Sequence, residues 1–293
     1  MKTTLVSALA DDIRRLLQRY NIRPKKKQGQ SFLSSQNIAR DIVDLADLSD
    51  KDDVLEIGGG LGVLTQHIAE KAHAVYVVEI DPNLVKALND LMQSASNVRI
   101  IEGDALTVDL PEVSKIIANL PYSISSEITF RILREMKFEL AILMYQKEFA
   151  SRLVADPGTS EYSRLTVNAR YYAEVERAFD VPAGMFYPIP AVDSTVVTMV
   201  RRTRGIFAKD DSVFHWMIGG IFPYPNKSLR NALRIWFRNL RLDKAILEEV
   251  LERSEGVLSG DDHLRSIGIG ELVCLADILL ELMKEGKIMD SRV

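Results

Sequence analysis

Apolar residues recur at helical spacing at the start of the chain. Leu5, Leu9, Ile13, Leu16 and Leu17 share one face and predict a helix over residues 3–20. A basic stretch containing Pro24 and Gly29 reads as an exposed loop over 23–30, and a second amphipathic helix is expected over 38–48. From Val54 the period shortens. Short runs rich in Val, Ile and Leu at 54–57, 74–80, 98–102, 115–118 and 140–145 predict strands. Amphipathic stretches at 64–72, 84–95 and 125–134 predict helices between them. Alternating strands and helices place the chain in the α/β class, with an open, mostly parallel sheet covered on both faces. A β-branched run over 194–200 continues this domain. Residues 201–205 are charged, end in glycine and read as a linker, and 207–293 read as mostly helical. The expected organisation is a domain over 1–204, with an N-terminal helical extension, followed by a smaller helical domain over 205–293.

Composition narrows the class. At 293 residues, with 47% hydrophobic and 27% charged, the chain can bury a sizeable core. Its apolar runs fall well short of the ~20 residues that span a bilayer, so no membrane association is expected. The first seventeen residues carry Asp11, Asp12, Arg14 and Arg15 and lack a signal-peptide core, which points to the cytoplasm. One cysteine, Cys274, excludes an internal disulfide and a cysteine-based zinc site, and four scattered histidines argue against a metal centre. His67 and His73 are expected at the surface. Ser34 and Ser35 are expected to cap the helix that follows them.

Four strand tips carry the candidate chemistry. The first is the glycine turn of Glu56-Ile57-Gly58-Gly59-Gly60-Leu61-Gly62, which lets backbone approach a ligand closely. Its third glycine falls one residue too early for the dinucleotide fingerprint. Glu79, about 20 residues on, ends the next strand and is placed to bind ribose hydroxyls. Asp104, in Glu102-Gly103-Asp104-Ala105, can accept from an adenine amine. Asn119-Leu120-Pro121-Tyr122 then joins an amide, a proline turn and an aromatic ring at one tip. That set suits a flat base, because the amide accepts from an exocyclic amine and the ring stacks. It contains no acid, metal ligand or nucleophile, so its chemistry is positioning.

Together these motifs resemble the S-adenosylmethionine-dependent rRNA adenine dimethyltransferases. Three more stretches carry the resemblance: Gln28-Gly29-Gln30-Ser31-Phe32-Leu33, Pro157-Gly158-Thr159 with Tyr162 and Arg164 following, and Phe186-Tyr187-Pro188-Ile189-Pro190-Ala191-Val192-Asp193-Ser194. Asn226-Lys227-Ser228-Leu229-Arg230 resembles a segment of the family's C-terminal domain. The likeness runs from about residue 23 to at least 240 and is greater to the small-subunit branch than to the branch acting on large-subunit rRNA.

The resemblance implies a Rossmann-like methyltransferase sheet, S-adenosylmethionine as cofactor and dimethylation of adenosine amines in small-subunit rRNA during ribosome biogenesis. It implies cofactor contacts from Ser31, Leu33, Gly58, Gly60, Glu79, Asp104 and Asn119. Ser31 departs from the Asn or His usual in the family. Catalytic positions would be Asn119, Leu120, Pro121, Tyr122 and Phe186, with Tyr122 and Phe186 on the two faces of the base. The Asn119 oxygen and the Leu120 carbonyl would accept from the amine and favour its pyramidal, attacking form.

Although net charge is −4, basic residues cluster. Arg23, Lys25, Lys26 and Lys27 adjoin the Gln28–Leu33 motif. Lys227, Arg230, Arg234, Arg238 and Arg241 are spaced by 3, 4, 4 and 3, which puts them on one face of a helix, away from Leu229, Leu233, Trp236 and Leu240. Beside an RNA-modifying domain, both clusters read as phosphate-binding surfaces. The expected partner is small-subunit rRNA or a small-subunit precursor, met by a monomer. Two other functions fit the same tips: a DNA adenine methyltransferase, and a non-catalytic cofactor-binding factor in ribosome assembly or transcription.

Overall fold

The computed structural model of the protein describes residues 13–24 and 30–289. Lys25, Lys26 and Lys27 lie outside the described residues, as does most of the predicted first helix, of which residues 13–19 form α1. The chain divides into two compact units. One is Met1–Ala150 with Ala173–Arg201, and the other is Ser151–Tyr172 with Arg202–Val293.

The first unit is built on a seven-stranded sheet. In chain order its strands are β2 (Asp53–Ile57), β3 (Ala74–Glu79), β4 (Val98–Glu102), β5 (Lys115–Asn119), β6 (Leu140–Gln146), β7 (Ala173–Val181) and β9 (Ser194–Arg201). Their order across the sheet is β4-β3-β2-β5-β6-β9-β7. The first five are parallel, and β9 runs antiparallel to both β6 and β7. Central strands β2, β5 and β6 are buried almost throughout, as expected for parallel strands covered on both faces. The chain winds from β2 toward β4, then returns to β5 on the other side. The crevice at the carboxyl ends of β2 and β5 is therefore the switch point where such sheets bind ligands.

Local signals set the helices. In α2 (Gln36–Asp44), Ser35 caps by accepting from Ile38 N at 3.3 Å. Ser34 does not cap: its hydroxyl donates to Met185 O at 2.9 Å. α4 (Pro82–Leu91) opens on a proline, with Asp81 accepting from Asn83 N. α3 (Val63–Ala69) and α5 (Ser125–Glu135) follow β2 and β5. His67 is not at the surface; it is buried, with Nε2 2.7 Å from Gln36 Oε1. A separate two-stranded piece pairs β1 (Phe32–Leu33) with β8 (Phe186–Tyr187), joining two motifs more than 150 residues apart.

The second unit is helical: α7 (Arg164–Tyr172), α8 (Asp211–Ile221), α9 (Leu229–Asn239), α10 (Lys244–Arg253) and α11 (Ile269–Lys284). α6 (Lys147–Leu153) spans the first crossing between units. α8 and α9 cross closely at Gly220, where a Cβ would stand 2.1 Å from the Trp236 ring. Residues 151–172 belong with these helices, so a single cut at 204 does not describe the division. Two tyrosines show why. Tyr162 donates to Ile267 O at 2.8 Å, and Tyr171 stacks on Phe214 and donates to Asp211 at 2.5 Å.

Candidate active site

Seven expected ligand positions (Ser31, Leu33, Gly58, Gly60, Glu79, Asp104 and Asn119) line one cavity of about 220 Å³ at the switch point. Leu120, Pro121 and Tyr122 line it too. Gly58 brings its two halves together. Its φ of +76° suits glycine, and a Cβ placed there would stand 3.5 Å from Pro121 Cδ. Gly59 is required for a different reason, since a Cβ would lie 2.3 Å from Val77 Cγ1 of β3.

Glu79 ties the glycine turn to the end of β3. Its carboxylate accepts from the backbone N–H groups of Gly60, Ile80 and Asp81, each at 3.0 Å. Burial raises its pKa, and the three N–H donors oppose that rise. Three bonds leave acceptor capacity on the two oxygens for a hydroxyl.

Glu56 belongs to the glycine-turn motif, yet the motif alone gives it no role. It is only 1% exposed, and its carboxyl accepts from Thr65 Oγ1 at 2.6 Å. Burial, with a smaller push from Glu79, raises its pKa to about 8, so it holds a proton at neutral pH. A carboxyl between Leu55 and Ile57, inside the apolar run that follows Asp53, is the sequence signal that marks it.

Asp104 folds its own loop, accepting from Leu106 N through Oδ1 at 2.9 Å. Arg131 of α5 braces the same loop, donating to Ala105 O at 2.6 Å and Val108 O at 2.8 Å. Sequence reasoning misses this residue, because an arginine on an amphipathic helix carries no distinguishing signal.

At the β5 tip, Asn119 Nδ2 donates to Ser31 O at 3.4 Å. Its Oδ1 and the Leu120 carbonyl accept no hydrogen bond among the described residues. Pro121 has φ −59° and ψ 122° and leads into a 3-10 turn, Tyr122–Ile124. The Tyr122 hydroxyl lies 2.7 Å from Ser194 Oγ, and burial raises its pKa, so it stays protonated.

Phe186 is a correction. It is 2% exposed, packs in the core cluster with Leu33, Ile42 and Val43, and does not line the cavity. Pairing of β8 with β1 sets Phe186 opposite Leu33 and turns its ring into that core.

The basic residues are partly rearranged. Arg23 is exposed in the first unit. In the second unit Lys227, Arg230, Arg234, Arg238 and Arg241 are all exposed, but α9 covers only Leu229–Asn239. Arg241 lies past its end with φ +58°. Arg230 is engaged by both Glu248 oxygens, at 2.8 and 3.0 Å. Arg234 and Arg238 have no partner among the described residues.

The donor set fits an adenosyl ligand: a glycine turn for close approach, a carboxylate for a diol, and a second carboxylate at the next tip. Among the described residues no group of three metal-ligating side chains occurs, and no helix is long and apolar enough to cross a membrane.

The model of the family described as ribosomal RNA adenine dimethylase matches residues 21–258. A Methanosarcina mazei protein, named a probable ribosomal RNA small subunit methyltransferase A, is 46% identical over 75% of this chain and 81% of its own. A Methanococcus maripaludis protein of the same name is 41% identical over 89% of this chain and 99% of its own. The crystal structure of a dimethyladenosine transferase from Plasmodium falciparum superposes with a TM-score of 0.77 at 27% identity, covering 87% of this chain and 98% of that one.

Proposed function

The chain belongs to the ribosomal RNA adenine dimethylase family, and from that premise we propose how its residues divide the work. It is an S-adenosylmethionine-dependent adenine dimethyltransferase acting on small-subunit rRNA. The bound cofactor supplies an activated methyl group on a sulfonium. Glu79 would hold its ribose hydroxyls and Asp104 its adenine amine, while the glycine turn, Ser31 and Leu33 close around it.

The observation that carries the catalytic assignment is at the β5 tip. Asn119 and Leu120 line the same cavity as Gly58, and the Asn119 Oδ1 and the Leu120 carbonyl accept no bond among the described residues. Both would accept from the amine of the target adenine. That draws its nitrogen out of conjugation and toward the pyramidal form that attacks, so the bonds act mainly in the transition state. Tyr122 offers a face for the base, and such stacking is worth ~1–3 kcal/mol. A protonated tyrosine is no base, and the cationic product amine loses its proton to water. The adenine must leave its stack to reach this tip.

Arg23, Lys25, Lys26, Lys27, Lys227, Arg234 and Arg238 would meet RNA phosphates, and residues 205–293 would carry most of that surface. The protein would work as a monomer in the cytoplasm. An acidic chain with local basic patches fits a substrate that is a partly assembled small subunit rather than free RNA.

Labelled methyl transfer to unmethylated small subunits, large subunits, free rRNA and duplex DNA tests this. Dimethyladenosine confined to small subunits is the expected result. Preference for duplex DNA, or no transfer to any polymer, would refute it.

A further inference from the structure

Ser194 ends the Phe186–Ser194 segment, and the methyl-transfer step gives it no task. It is 0% exposed and opens β9, paired with Gln146 of β6 on one side and Val181 of β7 on the other. Its neighbours are tied down as well. Asp193 O accepts from Lys147 N at 3.0 Å, and Asp193 Oδ1 accepts from Ala183 N at 2.9 Å. Thr195 donates to Asp180 at 2.7 Å. The Ser194 hydroxyl is therefore held by a rigid part of the sheet.

Tyr122 is not. It stands in a three-residue 3-10 turn just after Pro121, with its ring only half-buried in the cavity wall. Among the described residues its hydroxyl has one hydrogen-bonding partner, Ser194, at 2.7 Å. A ring carried on a turn can pivot about its side-chain torsions unless its far end is held. A hydrogen bond from a fixed hydroxyl supplies that hold.

We propose that Ser194 is a positioning residue for the target adenine, pinning the hydroxyl of Tyr122 and so fixing the plane on which the base stacks. Methyl transfer requires the amine in line with the methyl donor, and a tilted platform displaces it. The inference rests on the reading that the target base stacks against Tyr122.

A double-mutant cycle with Ser194→Ala, Tyr122→Phe and the pair tests it. Three quantities are measured: kcat on unmethylated small subunits, cofactor affinity by calorimetry, and quenching of 2-aminopurine at the target position of an RNA fragment. Each single variant should lose about tenfold in kcat, the scale of one hydrogen bond. The double variant should lose no more than either single one. Cofactor affinity should hold, and quenching should weaken in each variant. Losses that multiply, a harmless Ser194→Ala, or unchanged quenching would overturn the proposal. Should Ser194→Ala fail to fold, Tyr122→Phe removes the same bond with Ser194 intact, and wild-type kcat and quenching there would overturn it. Tyr122→Ala separates the inference from its premise. If Tyr122→Ala is harmless, the base does not rest on Tyr122 and both fall. If Tyr122→Ala is severe and Tyr122→Phe harmless, only the anchor fails.

Discussion

Arg131 of α5 reaches back to the loop after β4, its guanidinium 2.6 Å from Ala105 O and also bonded to Val108 O. α5 follows directly on the Asn119–Tyr122 tip, so one helix supports both the proposed catalytic turn and the loop that carries Asp104. Arg131→Met keeps the apolar stem but leaves two carbonyls unpartnered, at a cost of about 1–3 kcal/mol. We expect cofactor affinity to fall about tenfold or more, with turnover at saturating cofactor close to wild type. Calorimetric titration with S-adenosylmethionine checks this, and unchanged affinity would show that the brace is not needed.

On the proposed mechanism, Asn119→Ala removes an acceptor that the target amine uses in the transition state. By analogy with the loss of one preorganised partner for developing charge, turnover should drop about 10²–10³-fold. Cofactor affinity should change little, because Glu79 and Asp104 are untouched. Single-turnover methyl transfer, measured beside cofactor binding, separates the two effects. Near wild-type transfer would remove Asn119 from the catalytic step.

That the proposed cofactor contacts share one cavity is legible in the sequence because each group is local to a strand end. Gly58, Glu79 and Asp104 need only the β–α alternation to bring them to one edge of the sheet. Phe186 escapes that reading because its direction is set by β1–β8, two strands of two residues that no periodicity marks. Residues 151–172 join the helical unit because Tyr162 and Tyr171 bond to Ile267 and Asp211, partners 105 and 40 residues away. The cationic stripe is legible by spacing, but Glu248 on the next helix takes Arg230 out of it.

That pairing leads to a distinction among the arginines. Arg234 and Arg238 are exposed and without partners among the described residues, whereas Arg230 is held by Glu248. Replacing Arg234 and Arg238 together by alanine should flatten the dependence of log K on log salt by roughly 0.7–0.9 for each phosphate no longer neutralised. Arg230→Ala should change it less, since its charge is already compensated. Filter binding of rRNA fragments across a salt series reads both slopes. Equal slopes for wild type and the Arg234/Arg238 variant would place the RNA surface elsewhere.

Glu56 makes stability depend on pH with a definite sign. Its folded pKa is about 8 against 4.5 for the free group. Between these values the folded protein keeps a proton that the unfolded chain releases, so raising the pH favours unfolding. The stabilisation is complete below about pH 4.5 and gone above about pH 8, with a limiting slope of about 1.4 kcal/mol per pH unit. Glu79 is shifted in the same direction and adds to the trend. Glu56→Gln keeps the shape and removes the titration, so its stability should fall less steeply over this range, by up to one proton's worth. The glutamine keeps an acceptor for Thr65, which 2.6 Å from Glu56 would otherwise lose its bond. Urea unfolding of both proteins without cofactor at pH 5.5, 7 and 8.5 supplies the comparison. Parallel curves would mean that Glu56 is already ionised in the folded protein, and the proton assigned to it would have to be withdrawn.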